Sequence, residues 1–210
     1  VSVPDDRLQK ITTYITPQKV IPATLKLVDI AGIVKGASEG EGLGNKFLSH
    51  IRQVDAILQV VRCFEDDDVI HVSGTVDPLA DIETIEMELM LADIETLQNA
   101  ESKAARNARS GDKEAKLLLS AIEKSLKHLE SENPLRSLSL PDPEAKAIKA
   151  YGLLTAKPIL YIANVAEDDL GGQSPLVQKV REYAEKVNAG GAIVCAKIEA
   201  EIAELAAEDR

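Results

Sequence analysis

Two apolar runs, "TLKLVDIAG" (24–32) and "DAILQVVRCF" (55–64), show no clean alternation of apolar and polar residues. A strand covered on both faces has this texture, whereas a half-exposed strand alternates. Between them "NKFLSHIRQV" (45–54) reads as a helix. The order strand, helix, strand predicts an α/β unit with a mostly parallel sheet. The texture returns from Lys157. "KPILYIANV" predicts a strand ending in a polar loop, "SPLVQKVREYAEKVNAGG" a helix closed by glycines, "AIVCAKI" another strand, and "EAEIAELAAEDR" a last helix.

The stretch between is helical. Ile82, Ile85, Leu89, Ala92 and Thr96 recur three and four residues apart, and Leu119, Ile122, Leu126 and Leu129 repeat that spacing. In "ARSGDKE" Gly111 suits a helix end and Asp112 a helix start. Two amphipathic helices joined by a tight polar turn predict an antiparallel, coiled-coil-like hairpin, with Leu89, Ile122 and Leu126 on its seam. "NPLRSLSLPDP" then breaks the helix, and Pro143 opens a third. The expected organisation is one α/β domain (1–77 and 157–210) interrupted by a helical arm (78–156).

Composition removes several classes. A formal net charge of −11 argues against a broad basic face wrapping nucleic acid, and no sequence-specific DNA binding is expected. Lys103, Arg106 and Arg109 form one local basic edge, read either as a contact to RNA or as a solvated helix face. Cys63 and Cys195 are isolated thiols with no CxxC spacing, which suits a reducing cytosol. No apolar run approaches ~18 residues, so no membrane span is expected. "VSVPDDRLQK" lacks the pattern of a signal peptide and reads as the interior of a domain.

Three short segments carry chemistry, each after its own expected strand. In Asp29 to Gly32 an acid stands at the carboxyl end of a strand, where open α/β sheets bind ligands. There Asp29 can hold a Mg²⁺-bound water opposite nucleotide phosphates, and the backbone of Gly32 can approach a terminal phosphate. Alone, such an Asp-x-x-Gly is also an ordinary turn. Asn164 to Glu167 follows "ILYIAN". In GTPases the equivalent turn is Asn-Lys-x-Asp, whose Asp reads guanine; here Val165 and Glu167 replace Lys and Asp. The longer acid is displaced from the guanine-reading position, and a misplaced bidentate pair costs ~1–3 kcal/mol. Cys195-Ala196-Lys197 stands where GTPases carry Ser-Ala-Lys. The serial order of the three is the signal.

"VDIAGIVKGASEGEGLGNKFLSHIR", "DAILQVVRCFEDDDVIHV", "LYIANVAED" and "CAKIEAEIAEL" together resemble the YchF branch of the Obg-like ATPases, among the translation-factor-related P-loop GTPases. The resemblance implies a P-loop-type parallel sheet with an inserted coiled-coil arm, Mg²⁺-dependent hydrolysis of ATP in preference to GTP, and a cytoplasmic protein associated with the ribosome, the large subunit being the expected partner. It implies that Asn164, Val165 and Glu167 frame adenine with Cys195 and Ala196 behind it, while Asp29 contacts Mg²⁺ through water. No Gly-x-x-x-x-Gly-Lys-Ser/Thr occurs in the chain. The family's phosphate-binding loop is expected upstream of Val1 and its TGS domain downstream, so residues 1–210 alone are expected neither to bind ATP tightly nor to hydrolyse it.

Many GTPases place Gln after Asp-x-x-Gly to orient the attacking water; Ile33 occupies that position and cannot hydrogen-bond. His71, in "DDDVIHV", is the candidate water-positioning group, matching a His in the family; its other reading is a loop residue held by a backbone carbonyl. His50 and His128 fall within expected helices and read as structural or solvated. The glycines at 36, 40, 42 and 44, flanked by Lys35 and Lys46, predict a loop that orders with nucleotide.

Overall fold

The structure is a computed structural model that describes residues 1–30, 43–66 and 75–205. Gly32, Ile33, Lys35, His71 and the glycines at 36, 40 and 42 lie outside the described residues. Two compact units divide the chain, residues 1–32 and residues 33–210.

The first unit holds one short helix, α1 (Asp6–Thr12), begun by Asp5, whose carboxylate accepts the Arg7 amide at 3.0 Å. Its other feature is an antiparallel bridge between Ser2 and Thr24. The Val3 amide donates to the Ala23 carbonyl (2.8 Å) and the Leu25 amide to the Val1 carbonyl (2.7 Å). Over residues 24–30, the described part of the strand expected over 24–32, no strand forms: Leu25, Leu27 and Val28 are exposed and Asp29 ends no strand. Apolar character equips a segment for a sheet, but a strand exists only where a neighbour completes its ladder, and here the partner is residues 1–3.

In the second unit, α2 (Leu43–Arg52) leads into β1 (Ile57–Arg62), and later come β2 (Ile159–Asn164), α6 (Pro175–Lys186), β3 (Gly190–Val194) and α7 (Ala196–Glu204). The three strands form a parallel sheet in the order β1-β2-β3, with Arg62 opposite Asn164 and Asn164 opposite Val194. The α/β class and parallel sheet read from the sequence are thus observed. β3 starts two residues earlier than expected, at Gly190. A Cβ there would lie 2.7 Å from Leu160, so the glycines expected to close α6 serve the strand. One face of the sheet packs against α6 and the first turns of α3 (Pro78–Arg109), burying Val61, Tyr161, Ala163, Ile82, Val177 and Val180. Tyr161 meets Tyr183 edge to face at 5.7 Å.

α3 begins at Pro78 because Asp77 accepts the Leu79 and Ala80 amides (3.2 and 3.4 Å) and proline needs no amide partner there. It ends at Arg109; Gly111 takes φ +90°, and Asp112 accepts the Glu114 amide at 2.9 Å to start α4 (Lys113–Glu130). The hairpin forms as its turn chemistry predicts. Its seam is displaced by one residue on α3: Met90, Leu97 and Ala104, seven apart, meet Ala121, Ile122, Leu126 and Leu129. Leu89 is buried outside that cluster and Leu91 is 40% exposed. Three consecutive apolar residues in α3 leave its facing stripe undecided, and the position of α4 selects it.

After α4 come a 3-10 turn (Leu135–Ser137), α5 (Asp142–Ile148) and a second 3-10 turn (Lys149–Tyr151) closed by Gly152 at φ +58°. Charged groups fasten this arm to the sheet. Buried Asp93 accepts the Leu154 amide (2.8 Å), the Thr155 amide (2.8 Å) and the Thr155 hydroxyl (2.7 Å) just ahead of β2. Glu86 forms a buried ion pair with Arg136 and accepts the Tyr161 hydroxyl at 2.8 Å. Arg52, at the end of α2, donates to Thr96 Oγ1 (3.0 Å), and Lys157 donates to the Arg52 and Val54 carbonyls (3.3 and 2.5 Å). His128, expected to be structural or solvated, shares a hydrogen bond with the Ser137 hydroxyl at 2.9 Å.

Candidate nucleotide-binding corner

The carboxyl ends of β2 and β3 meet at one corner. Asn164 ends β2, and its backbone carbonyl accepts the Cys63 amide at 2.8 Å, carrying the ladder one residue past β1. The Val165 amide donates to the Val194 carbonyl (2.9 Å), so the chain stays tied to β3 as it leaves the sheet. The Asn164 side chain then turns across: its Oδ1 accepts the Ala196 amide at 3.0 Å. That bond occupies one of the amides left open at the start of α7, where Cys195 is the N-cap residue and offers no side-chain cap. Two segments 32 residues apart are joined by one side chain.

Glu167 lies in a short 3-10 turn (Glu167–Asp169) beyond Val165, and Lys197 in the first turn of α7. Their side chains form an ion pair, and the Glu167 carboxylate raises the Lys197 pKa. Both are well exposed, so the pair orients the acid more than it stabilises the fold. Asp169 closes the loop by accepting the Gln173 and Ser174 amides (2.6 and 3.1 Å); its bonds to Ser174, then Gln173, hold its carboxyl below the ordinary range. Burial, with a further push from the Asp169 charge, raises the Cys63 thiol to about 11, so it stays protonated at neutral pH.

Five of the eight candidate residues, Asn164, Val165, Glu167, Cys195 and Ala196, are thereby brought to this corner. Val165 and Cys195 belong to the core, 2% and 5% exposed, so their side chains are not available to a ligand at the corner. Asp29 belongs to the first unit; its carboxylate is exposed. Gly32 and His71 lie outside the described residues. Lys197 carried no expected role, since an acid in a turn after β2 and a base in the first turn of α7 give no local sign that they pair. The arm-to-sheet bonds of Asp93 and Glu86 were also missed, although acids among the apolar positions of α3 were a visible sign of buried partners.

A parallel α/β sheet with such a turn after β2 and a helix start after β3 is consistent with the P-loop GTPase fold. The family described as 50S ribosome-binding GTPase matches residues 6–92. The chain is 53% identical to the ribosome-binding ATPase YchF of Bacillus subtilis and 49% identical to that of Escherichia coli O157:H7, over all of this chain and 58% of each relative. The solved structure of the Schizosaccharomyces pombe YchF GTPase superimposes with a TM-score of 0.83 at 34% identity, again covering all of this chain and 58% of that one. The chain is similar to the YchF proteins over its whole length and to the 50S ribosome-binding GTPase family over residues 6–92. It spans little more than half the length of those relatives.

Proposed function

We propose that the chain is the nucleotide-binding and arm-bearing part of a Mg²⁺-dependent ATP hydrolase that acts as a ribosome-associated switch in the cytoplasm, with the large subunit as partner. The observation that carries this reading is the corner itself: the Asn164 to Ala196 bond and the Glu167 to Lys197 pair bring the two base-framing segments together. The reading is further supported by the relatives' names, which describe ribosome-binding ATPases.

Adenine is the base the corner suits. Guanine offers N1–H and 2-amino donors to a correctly placed carboxylate, whereas adenine N1 is an acceptor that a free carboxylate repels. Glu167 carries one methylene more than the guanine-reading Asp, and its charge is engaged by Lys197. Both features favour adenine.

On the phosphate side, Asp29 is proposed to hold a Mg²⁺-bound water, Gly32 to bond the terminal phosphate and His71 to orient the attacking water. The chemistry of Asp29 fits the cation. Its carboxylate is exposed and makes no hydrogen bond or ion pair, leaving hard oxygen donors available. Among the described residues no group of three or more His, Cys, Asp or Glu converges.

The test is competition binding of ATP and GTP to the protein at the full length of its relatives, together with sedimentation alongside ribosomal subunits. Tighter ATP binding is expected. A tenfold preference for GTP, ~1.4 kcal/mol, overturns the base assignment, and failure to sediment with ribosomes overturns the partner.

A further inference from the structure

A cavity of about 600 Å³ opens at the base of the arm, between α4, the turns on either side of α5, and the chain entering β2. That is within the ~300–1,000 Å³ typical of small-molecule sites. Its walls are mostly aliphatic: Leu135, Ile148 and Leu153 are buried, and Leu138 and Leu140 half-buried. One polar side chain of this lining is buried and unpaired. Ser125 of α4 lines the cavity, is 1% exposed, and its hydroxyl has no hydrogen-bond partner. A buried hydroxyl left unpaired carries a free-energy cost that an incoming polar atom removes.

Two lysines also belong to the lining. Lys149 is exposed and forms no ion pair, and Lys157 spends its hydrogen bonds on two carbonyls, which leave its charge uncompensated. Asp55 is the one carboxylate among the lining residues, against two ammonium groups. The lining thus combines a buried unpaired hydroxyl, an aliphatic wall, and two ammonium groups against one carboxylate.

We propose that this cavity binds a small amphipathic monoanion: an aliphatic carboxylate whose far end carries a hydroxyl or carbonyl oxygen. The carboxylate sits at Lys149, the chain lies along Leu135, Ile148 and Leu153, and the distal oxygen bonds Ser125 Oγ. This site is separate from the base-framing corner and does not depend on the nucleotide reading.

The probes are 10-hydroxydecanoate, decanoate and 1-decanol, titrated into the chain of residues 1–210 and followed by amide shifts in two-dimensional NMR. Saturable shifts at Ser125, Gly152 and Leu153 are expected, with affinity falling in the order hydroxydecanoate, decanoate, decanol. Ser125→Ala should erase the advantage of hydroxydecanoate over decanoate while leaving decanoate unchanged. Lys149→Glu, a substitution at an exposed position, should weaken both carboxylates at least tenfold and leave decanol unchanged. Equal binding of all three probes, shifts elsewhere in the protein, or no saturation in the millimolar range overturns the proposal.

Discussion

Removing the Asp93 carboxylate should loosen the arm from the sheet at a cost that can be worked out bond by bond. Asp93 is fully buried and accepts from Leu154 N, Thr155 N and Thr155 Oγ1 at 2.7 to 2.8 Å. In Asp93→Ala all three donors lose their partner inside the protein, at roughly 1–3 kcal/mol each. Two effects reduce the sum. The variant no longer buries a carboxylate, and the Thr155 hydroxyl keeps its other bond, accepting the Leu135 amide at 3.2 Å. The net expectation is a loss of about 3–4 kcal/mol, near the upper end for a single substitution. Asp93→Asn keeps one acceptor oxygen but turns an NH₂ toward donors, for a loss of about 2 kcal/mol. The assay is urea denaturation at neutral pH, comparing midpoints at constant slope. A double-mutant cycle with Thr155→Val isolates the side-chain bond, with a coupling of about 1 kcal/mol expected. If Asp93→Ala unfolds within ~0.5 kcal/mol of the parent, the range of a neutral surface change, the buried clamp does not hold the arm.

Leu126→Asp places an unpaired carboxylate in the seam against Leu97 and Met90 and should cost several kcal/mol, read as a lowered melting temperature; an unchanged melt refutes the seam. Glu144 accepts Lys124 Nζ at 2.7 and 2.8 Å, and that bond, ahead of one from Ser120, holds its carboxyl below the ordinary value of 4.5. Because the unfolded chain then takes up a proton first, this contribution is present above pH ~4.5 and lost as pH falls below it. Acid unfolding curves of Glu144→Gln should lack that component, and superimposable curves refute it. His71→Ala, in the protein at the full length of its relatives, should slow single-turnover ATP hydrolysis while sparing ATP affinity. An unchanged rate returns His71 to a structural role.

What the sequence determined by itself was whatever neighbours along the chain decide. Asp77 with Pro78, and Gly111 with Asp112, mark the ends of α3 and α4 because capping involves groups two or three residues apart. The period of Ile122, Leu126 and Leu129 marks a buried stripe on α4 because a helix fixes which residues share a face. The serial order of three short segments, each after an apolar run, was enough to point to a nucleotide-binding class. Tertiary structure decided the rest. "TLKLVD" has the composition of a buried strand, yet residues 24 and 25 pair with residues 1 and 2, since a ladder needs a partner that local pattern does not specify. The seam runs through Met90 and not Leu89 because α4 chooses among three adjacent apolar residues. Glu86 and Asp93 are tolerated in the interior only because Arg136, Tyr161 and Thr155 arrive from 50 to 75 residues away. Lys197 likewise meets Glu167 only when β2 and β3 lie side by side, which brings the turn after β2 and the first turn of α7 within reach.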